Sequence, residues 1–189
     1  IFISSVQKEF ANERQSLYRY LQSDALIGRF FEPFLFENLP ATDQRTDKVY
    51  LEKVKDCDIY LGLLGQVYWY EDTVWISPTE REFDEATKQH KIRLIFVKGS
   101  TTLKRHHNIN ALIARAGKEL IRKRFETESE LISGVYASLV NLLEEKELIR
   151  NGPFDASICH DAELSDLDEN KITSFLANAK TTRNFPLPS

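Results

Sequence analysis

Short apolar runs alternate with amphipathic segments along most of the chain. The runs at residues 1–3, 59–64 and 92–97 are almost continuous in branched and aromatic residues, which is typical of strands buried on both faces of a parallel sheet. A further run at residues 30–36 contains Pro33, which cannot donate a hydrogen bond to a neighbouring strand. We therefore expect this strand to begin late or to lie near an edge of the sheet.

Between these runs, apolar residues recur every three or four positions, as on helices that cover a sheet. The predicted helices lie within residues 6–21, 46–54, 77–90, 103–117 and 126–149. The third helix has the clearest start, because Ser77 is a natural cap, Pro78 suits the first helical position and Glu80 completes the spacing of a capping box. A short strand or turn is expected to begin at residues 120–121.

This alternation predicts an α/β fold. Strand and helix patterns follow one another about five times, which indicates a roughly five-stranded parallel sheet in a three-layer sandwich. The pattern stops near residue 150, where a cluster of helix breakers at 151–154 precedes an acidic stretch at 161–168. We therefore predict a domain over residues 1–149, with residues 150–189 as a linker or the start of a following domain that is missing from this sequence.

Charge and cysteine content exclude several classes of protein. The formal net charge of −4 argues against a surface that binds nucleic acid over its whole area. Cys57 and Cys159 lie far apart and predict neither a disulfide framework nor a zinc site, so we expect no bound metal. No apolar stretch approaches the roughly 20 residues of a membrane span, and no signal peptide is visible, so the predicted location is the cytoplasm without a membrane partner.

A ligand site is expected beyond the carboxyl ends of the strands, where open α/β sheets bind their ligands. A carboxylate there could stabilise a cationic sugar transition state, and an aromatic ring could stack on a base. The candidate catalytic residues are Glu82 and Glu80, and the candidate ligand-binding residues are Ser4, Ser5, Gly62, Gly65, Tyr68, Trp69 and Thr79.

Several of these candidates also have a purely structural interpretation. Glu80 can serve as the capping-box partner of Ser77, and Ser4 and Ser5 can simply end a strand. The aromatic residues of the segment, which are Tyr68, Trp69, Tyr70 and Trp75, can belong to the core rather than to a base platform.

Three separated motifs occur in one order: IFISS at residues 1–5, DIYLGLLG at 58–65 followed by Tyr68, and SPTEREF at 77–83. Together they resemble, over about residues 1–148, the TIR-like family known as domain of unknown function 4062. That family is similar to TIR domains and to nucleoside deoxyribosyltransferases, which split or exchange N-glycosidic bonds in NAD or in nucleosides. The resemblance implies a TIR-like, flavodoxin-like fold, with Glu82 matching the catalytic glutamate and Thr79 matching the threonine of the transferase motif.

The tail has a resemblance of its own. The sequence GPFDA at 152–156, the pair at 167–168 and the RNFPLP stretch at 183–188 look like the connecting region of bacterial proteins related to RecG helicases or transcriptional regulators. This resemblance implies a following nucleotide- or nucleic-acid-linked module in the same chain, and contact with nucleic acid only through that missing portion.

Three functions follow as hypotheses. The first is a nucleotide-sensing or protein-interaction signalling module of a larger bacterial protein, with self-association as one form of that interaction. The second is an N-glycosidase or transferase in defence signalling, with NAD, a nucleoside or another nucleotide as substrate. Glu82 would stabilise the ribosyl centre, and Tyr68 or Trp69 would stack on the base. The third is an accessory domain of a protein acting on nucleic acid, suggested by the basic stretches at 104–107 and 122–124 and opposed by the net acidity. Whether the chain is an enzyme is left open by the sequence.

Overall fold

The computed structural model describes residues 1–39, 46–69, 76–150 and 152, with the side chains of residues 46–48 excepted. Residues Ile1–Ile149 form one compact unit. The prediction of a linker or following domain at 150–189, with its resemblance to RecG-related proteins, falls almost wholly outside the described residues.

The described residues form a parallel sheet of four strands. The strands are β1 (Phe2–Ser5), β2 (Ile59–Leu64), β3 (Ile92–Lys98) and β4 (Arg122–Phe125), and they lie in the order β1-β2-β3-β4. Ser4 is level with Gly62, and Gly62 is level with Ile95, so β1 and β2 end at the same edge. All residues of β1 and β2 are buried, as their continuous apolar runs predict.

Helices cover both faces of this sheet and make the predicted three layers. They are α1 (Ala11–Ser23), α2 (Ile27–Phe30), α3 (Thr46–Asp56), α4 (Pro78–Lys88), α5 (His107–Glu119) and α6 (Glu128–Glu145). Side chains of α1 and α6 share one apolar cluster with Ile3 of β1. Side chains of α3, α4 and α5 share the other with Phe2, the neighbouring residue of the same strand. Successive strand residues point to opposite faces, so one strand contributes to both clusters.

The prediction of about five strands is one too many for the described residues. In place of a strand over 30–36, the chain makes a single parallel bridge between Phe34 and Phe2. The amide of Ile3 donates to the Phe34 carbonyl at 3.2 Å, and the Phe34 amide donates to the Ile1 carbonyl at 2.7 Å. Pro33 cannot extend the ladder, and a short 3-10 turn (Phe36–Asn38) follows. Phe34 thus occupies the edge position that the fifth strand would have filled.

Two details of the helices bear on the site. The first helix begins at Ala11 rather than near Val6, because residues 6–10 form a turn in which the Phe10 amide donates to the Val6 carbonyl at 3.1 Å. Helix α4 starts as predicted: the Ser77 hydroxyl accepts a hydrogen bond from the Glu80 amide at 3.2 Å, with Pro78 next. Among the described residues, no helix combines the length and apolarity needed to cross a bilayer.

Candidate functional site

The order in which the chain visits the sheet places a crevice beside β1. From β1 the chain passes to Phe34 on one side and then returns to β2 on the other side. Ligands of open α/β sheets bind at such a reversal, outside the carboxyl ends of the strands. A cleft of about 180 Å³ lies there, lined by the end of β1, the turn after it, and the first turns of α4.

Glu82 is the carboxylate of this cleft. It is 4% exposed, and one of its oxygens, Oε2, accepts a hydrogen bond from the Ser4 hydroxyl. Thr79, Glu82, Phe83 and Ala86 form the buried side of α4, so the helix itself turns the glutamate toward the sheet. Glu82 is the only acidic residue among the described residues that line the cleft.

Tyr60 completes a hydrogen-bonded series that was not predicted from the sequence. Its hydroxyl donates to Ser4 Oγ at 2.9 Å and lies 3.3 Å from the Thr79 carbonyl oxygen. The side chain is fully buried, and burial together with the negative charge of Glu82 raises the pKa of Tyr60 well above its ordinary value. Tyr60 is therefore a permanent donor at neutral pH. A tyrosine in a buried strand needs a partner for its hydroxyl, and that need is visible in the sequence.

Glu80 does not join Glu82 in the cleft. Its Oε2 accepts from the Tyr68 hydroxyl, and its Oε1 lies 3.0 Å from Nη2 of Arg115. Tyr68 is likewise buried, accepts from the Ser77 amide at 3.1 Å, and stacks on the ring of His106 with centroids 5.5 Å apart. The predicted pair of catalytic glutamates is thus separated, and Tyr68 belongs to the packing at the start of α4 rather than to a base platform.

Trp69 is the aromatic residue that reaches the cleft. It lines the cleft while remaining 48% exposed, and Nζ of Lys8 lies 5.0 Å from its ring centroid. A half-exposed indole at the mouth of a cleft is suited to stacking on a flat ligand. Tyr70 and Trp75, the other aromatic candidates, lie outside the described residues.

The two glycines predicted to contact a ligand instead accommodate protein groups. A Cβ at Gly62 would lie 3.0 Å from Cε1 of Tyr60, so the missing side chain leaves room for the phenol ring. At Gly65 a Cβ would overlap the carboxylate of Glu9. That carboxylate accepts from the amides of Gln66 at 2.6 Å and Val67 at 3.2 Å, and so holds the segment leading to Trp69. Neither glycine is among the described residues lining the cleft.

Gly65→Ala tests this packing. We expect the substitution to lower the free energy of unfolding by about 0.5–1.5 kcal/mol, because the new methyl group must displace the Glu9 carboxylate from its hydrogen bonds to the Gln66 and Val67 amides. Urea unfolding measures the change. The control is Gly152→Ala, where no atom of the described residues lies within 4 Å of the position of a Cβ, and we expect little effect there. Equal stability losses at the two positions would contradict the explanation.

Arg14 fixes the floor of the cleft behind Ser5. Its guanidinium donates to the Ile3 carbonyl at 3.0 Å and to Ser5 Oγ at 3.1 Å. It also pairs with both carboxylate oxygens of Glu37, at 2.7 Å each. Burial alone would raise the pKa of Glu37, but the hydrogen bonds and charge of Arg14 outweigh it and hold that pKa below its usual value. Ser5 is therefore held by the protein itself.

The Glu37 carboxylate should make folding pH-dependent. Its pKa is lower in the folded chain than in the unfolded one, so its contribution is complete above the unfolded pKa and is lost as the pH falls through the folded pKa. In the wild type, the free energy of unfolding should therefore fall between about pH 5 and pH 3. We expect this fall to be smaller in Glu37→Gln, and urea unfolding at several pH values measures it. Glu119→Gln is the control, because Glu119 pairs with Arg93 while half exposed. An unchanged pH slope for Glu37→Gln would count against the pairing.

The basic stretches are largely occupied by backbone contacts. The Arg105 guanidinium donates to four carbonyl groups, those of Gly65, Lys98, Ser100 and Leu103, at 2.6–3.2 Å. Arg124 donates to the Gly99 carbonyl at 3.0 Å, and Arg122 donates to the carbonyl of Ile113. These contacts give both stretches a structural role, while the predicted accessory role near nucleic acid stays a prediction.

Comparison with known proteins assigns the chain to a sequence family. The family model described as "Domain of unknown function (DUF4062)" matches residues 1–140, which confirms the predicted membership of that family. A solved structure with a similar fold is that of the CMP N-glycosidase BcmB from Clostridium botulinum, at 12% identity and a TM-score of 0.49, covering 72% of this chain and 97% of that one. None of the curated proteins compared with the chain matches it.

Proposed function

We propose, for a chain that belongs to the family of domains of unknown function DUF4062, that the cleft binds a nucleoside or nucleotide and that Glu82 promotes cleavage of its N-glycosidic bond. The observation that carries the proposal is a buried carboxylate, held by the Ser4 hydroxyl, in a cleft whose mouth carries the exposed ring of Trp69. The carboxylate suits the sugar, and the indole suits the base.

The chemistry needs one well-placed negative charge. When the bond between C1′ of the sugar and the base nitrogen breaks, the electron pair leaves with the base and positive charge develops on the sugar. The Glu82 carboxylate, which is itself buried, would stabilise that charge with little screening by water. A water molecule then supplies its hydroxyl to C1′. Its remaining proton goes to a base that leaves as an anion, or to solvent where the base leaves neutral, as nicotinamide does from NAD. The products are the free base and the sugar or sugar phosphate.

The size of the cleft favours binding of the sugar inside it and of the base outside it. A volume of about 180 Å³ is below the roughly 300–1,000 Å³ of sites that enclose drug-sized ligands. The described cleft therefore suits the sugar, with the base outside it against Trp69. Lys8 lines the same mouth and adds a positive charge there.

A second candidate is the sensing or interaction module that binds a nucleotide without turning it over. The observation that favours it is the apolar surface next to the cleft, where Val67 is 44% and Trp69 48% exposed. Such a surface can close over a ligand or contact a partner domain without any catalytic step. Both candidates use the same cleft, and they differ in whether the N-glycosidic bond breaks.

One experiment separates the two candidates. The purified chain is incubated with NAD and with a panel of nucleosides and nucleoside monophosphates, and released base is followed by liquid chromatography. Isothermal titration calorimetry with the same compounds measures binding. Release of base supports the glycosidase, and saturable binding without release supports the sensing module. Neither release nor binding with any compound of the panel would contradict both.

A further inference from the structure

The buried hydroxyl of Tyr60 has no part in the reaction proposed above. It donates to Ser4 Oγ at 2.9 Å, and the Ser4 hydroxyl donates to Glu82 Oε2. We infer that Tyr60 is a positioning residue, which acts through Ser4 to keep a hydrogen-bond donor directed at the Glu82 carboxylate. The expected effect of Tyr60 on the rate of base release rests on the proposed function. Its expected effect on the ionisation of Glu82 does not.

The backbone register makes this arrangement specific. Ser4 of β1 is level with Gly62 of β2, and Tyr60 lies two residues before Gly62, on the same face of its strand. The Tyr60 ring extends along the sheet past Gly62, where a Cβ would lie 3.0 Å from Cε1 and 3.5 Å from the hydroxyl oxygen. A glycine at this position lets the phenol reach the neighbouring strand.

The direction of each hydrogen bond follows from the groups involved. An ionised carboxylate only accepts hydrogen bonds, so the proton between Ser4 and Glu82 comes from the serine. The Tyr60 hydroxyl oxygen is closer to Ser4 Oγ, at 2.9 Å, than to the Thr79 carbonyl oxygen, at 3.3 Å, so Ser4 Oγ is the main acceptor of the single Tyr60 proton. This bond leaves the serine hydroxyl little freedom to turn its own proton away from Glu82. Donors arranged in series polarise one another, so the last donor is stronger than an isolated serine would be.

This series favours the charged form of Glu82. A donor bonded to a carboxylate stabilises its ionised state, and removing the donor raises the pKa of that carboxylate. The other ionisable groups among the described residues lining the cleft are Lys8, Arg14 and Tyr50. Ser4 and Tyr60 can be changed without replacing any of these three. Their effect on the ionisation of Glu82 can therefore be measured while the other ionisable residues of the cleft stay the same.

The test follows the titration of Glu82 by NMR with protein that carries ¹³C at the glutamate carboxyl carbon. The Glu82 resonance is assigned from its absence in Glu82→Gln. We expect Ser4→Ala to raise the pKa of Glu82 most, Tyr60→Phe to raise it less, and the double variant to match Ser4→Ala. If base release is found, kcat should fall about 10- to 100-fold in Ser4→Ala and about 2- to 10-fold in Tyr60→Phe, with KM little changed.

The structure provides a matched control. Tyr68 is also buried and donates to a glutamate of α4, but that glutamate is Glu80. Tyr68→Phe removes a donor from Glu80 and should leave the titration of Glu82 as in the wild type. The inference is overturned if Tyr60→Phe leaves the Glu82 titration unchanged, or if it still raises that pKa in the Ser4→Ala background. Because the titration requires no substrate, a chain without turnover tests the inference equally well.

A second variant covers the case in which Tyr60→Phe does not fold. Replacing Tyr60 with 3-fluorotyrosine keeps the hydroxyl and makes it a stronger donor, so the pKa of Glu82 should fall. An unchanged or raised pKa in a folded 3-fluorotyrosine protein would overturn the inference.

Discussion

Glu82→Gln should lower kcat/KM for release of base by about 100- to 1,000-fold, the range found when one stabilising group is removed from a reaction centre. Glutamine keeps the size of the side chain and can still accept from Ser4 Oγ, so the substitution removes the negative charge while preserving the packing. The loss should appear mainly in kcat, because the charge interacts most strongly with the sugar when it is cationic. Steady-state rates of base release measure it.

Glu80→Gln is the matched control for that experiment. Glu80 lies two residues earlier on the same helix, but its carboxylate contacts Tyr68 and Arg115 away from the cleft. We expect wild-type kinetics from this variant, with at most a small fall in thermal stability. Retention of activity in Glu82→Gln, or an equal loss in both variants, would remove Glu82 from the reaction.

The difference between these two glutamates shows how far sequence can predict the site. The sequence pattern places both at the start of one helix. On a helix, however, Glu82 shares a side with Thr79, Phe83 and Ala86, whereas Glu80 does not. Helical periodicity alone is therefore enough to separate the two glutamates. The bonding of Glu80 to Arg115 does not follow from the sequence, because it depends on where α5 packs.

The fold was more predictable than the site for a related reason. Continuous apolar runs such as Ile59–Leu64 reflect burial on both faces, which is a property of each strand by itself. The segment at 30–36 was harder, because its single bridge at Phe34 depends on the edge of β1 as well as on Pro33. Local sequence indicated a weak strand there without giving its length.

The unpredicted residues of the site are those whose roles depend on distant partners. In the sequence, Tyr60 is one more aromatic residue of a buried strand. Its role depends on a hydrogen bond to Ser4, which lies 56 residues away in the sequence. Arg14 resembles a surface charge, although its spacing from Phe10 and Leu17 puts it on the buried side of α1. A charge on the apolar side of a helix predicts a buried partner, but not which residue that partner is.

Arg14→Met should be the most destabilising substitution considered for this chain. It leaves the Glu37 carboxylate without its bidentate partner and removes the donors to the Ile3 carbonyl and Ser5 Oγ. Breaking a buried ion pair costs about 3–5 kcal/mol, and we expect about 3 kcal/mol because Glu37 remains 31% exposed. Urea unfolding at neutral pH measures the change.

Arg115→Met provides the comparison for an exposed arginine. Arg115 also pairs with two carboxylates, those of Glu80 and Asp84, but its side chain is 43% exposed. Water can solvate the carboxylates that it leaves behind, so we expect a loss of at most about 1 kcal/mol. Burial, rather than the number of ion pairs, then accounts for the difference between the two variants. If both arginines contribute equally, Arg14 does not fix the floor of the cleft, and Ser5 must be held by something else.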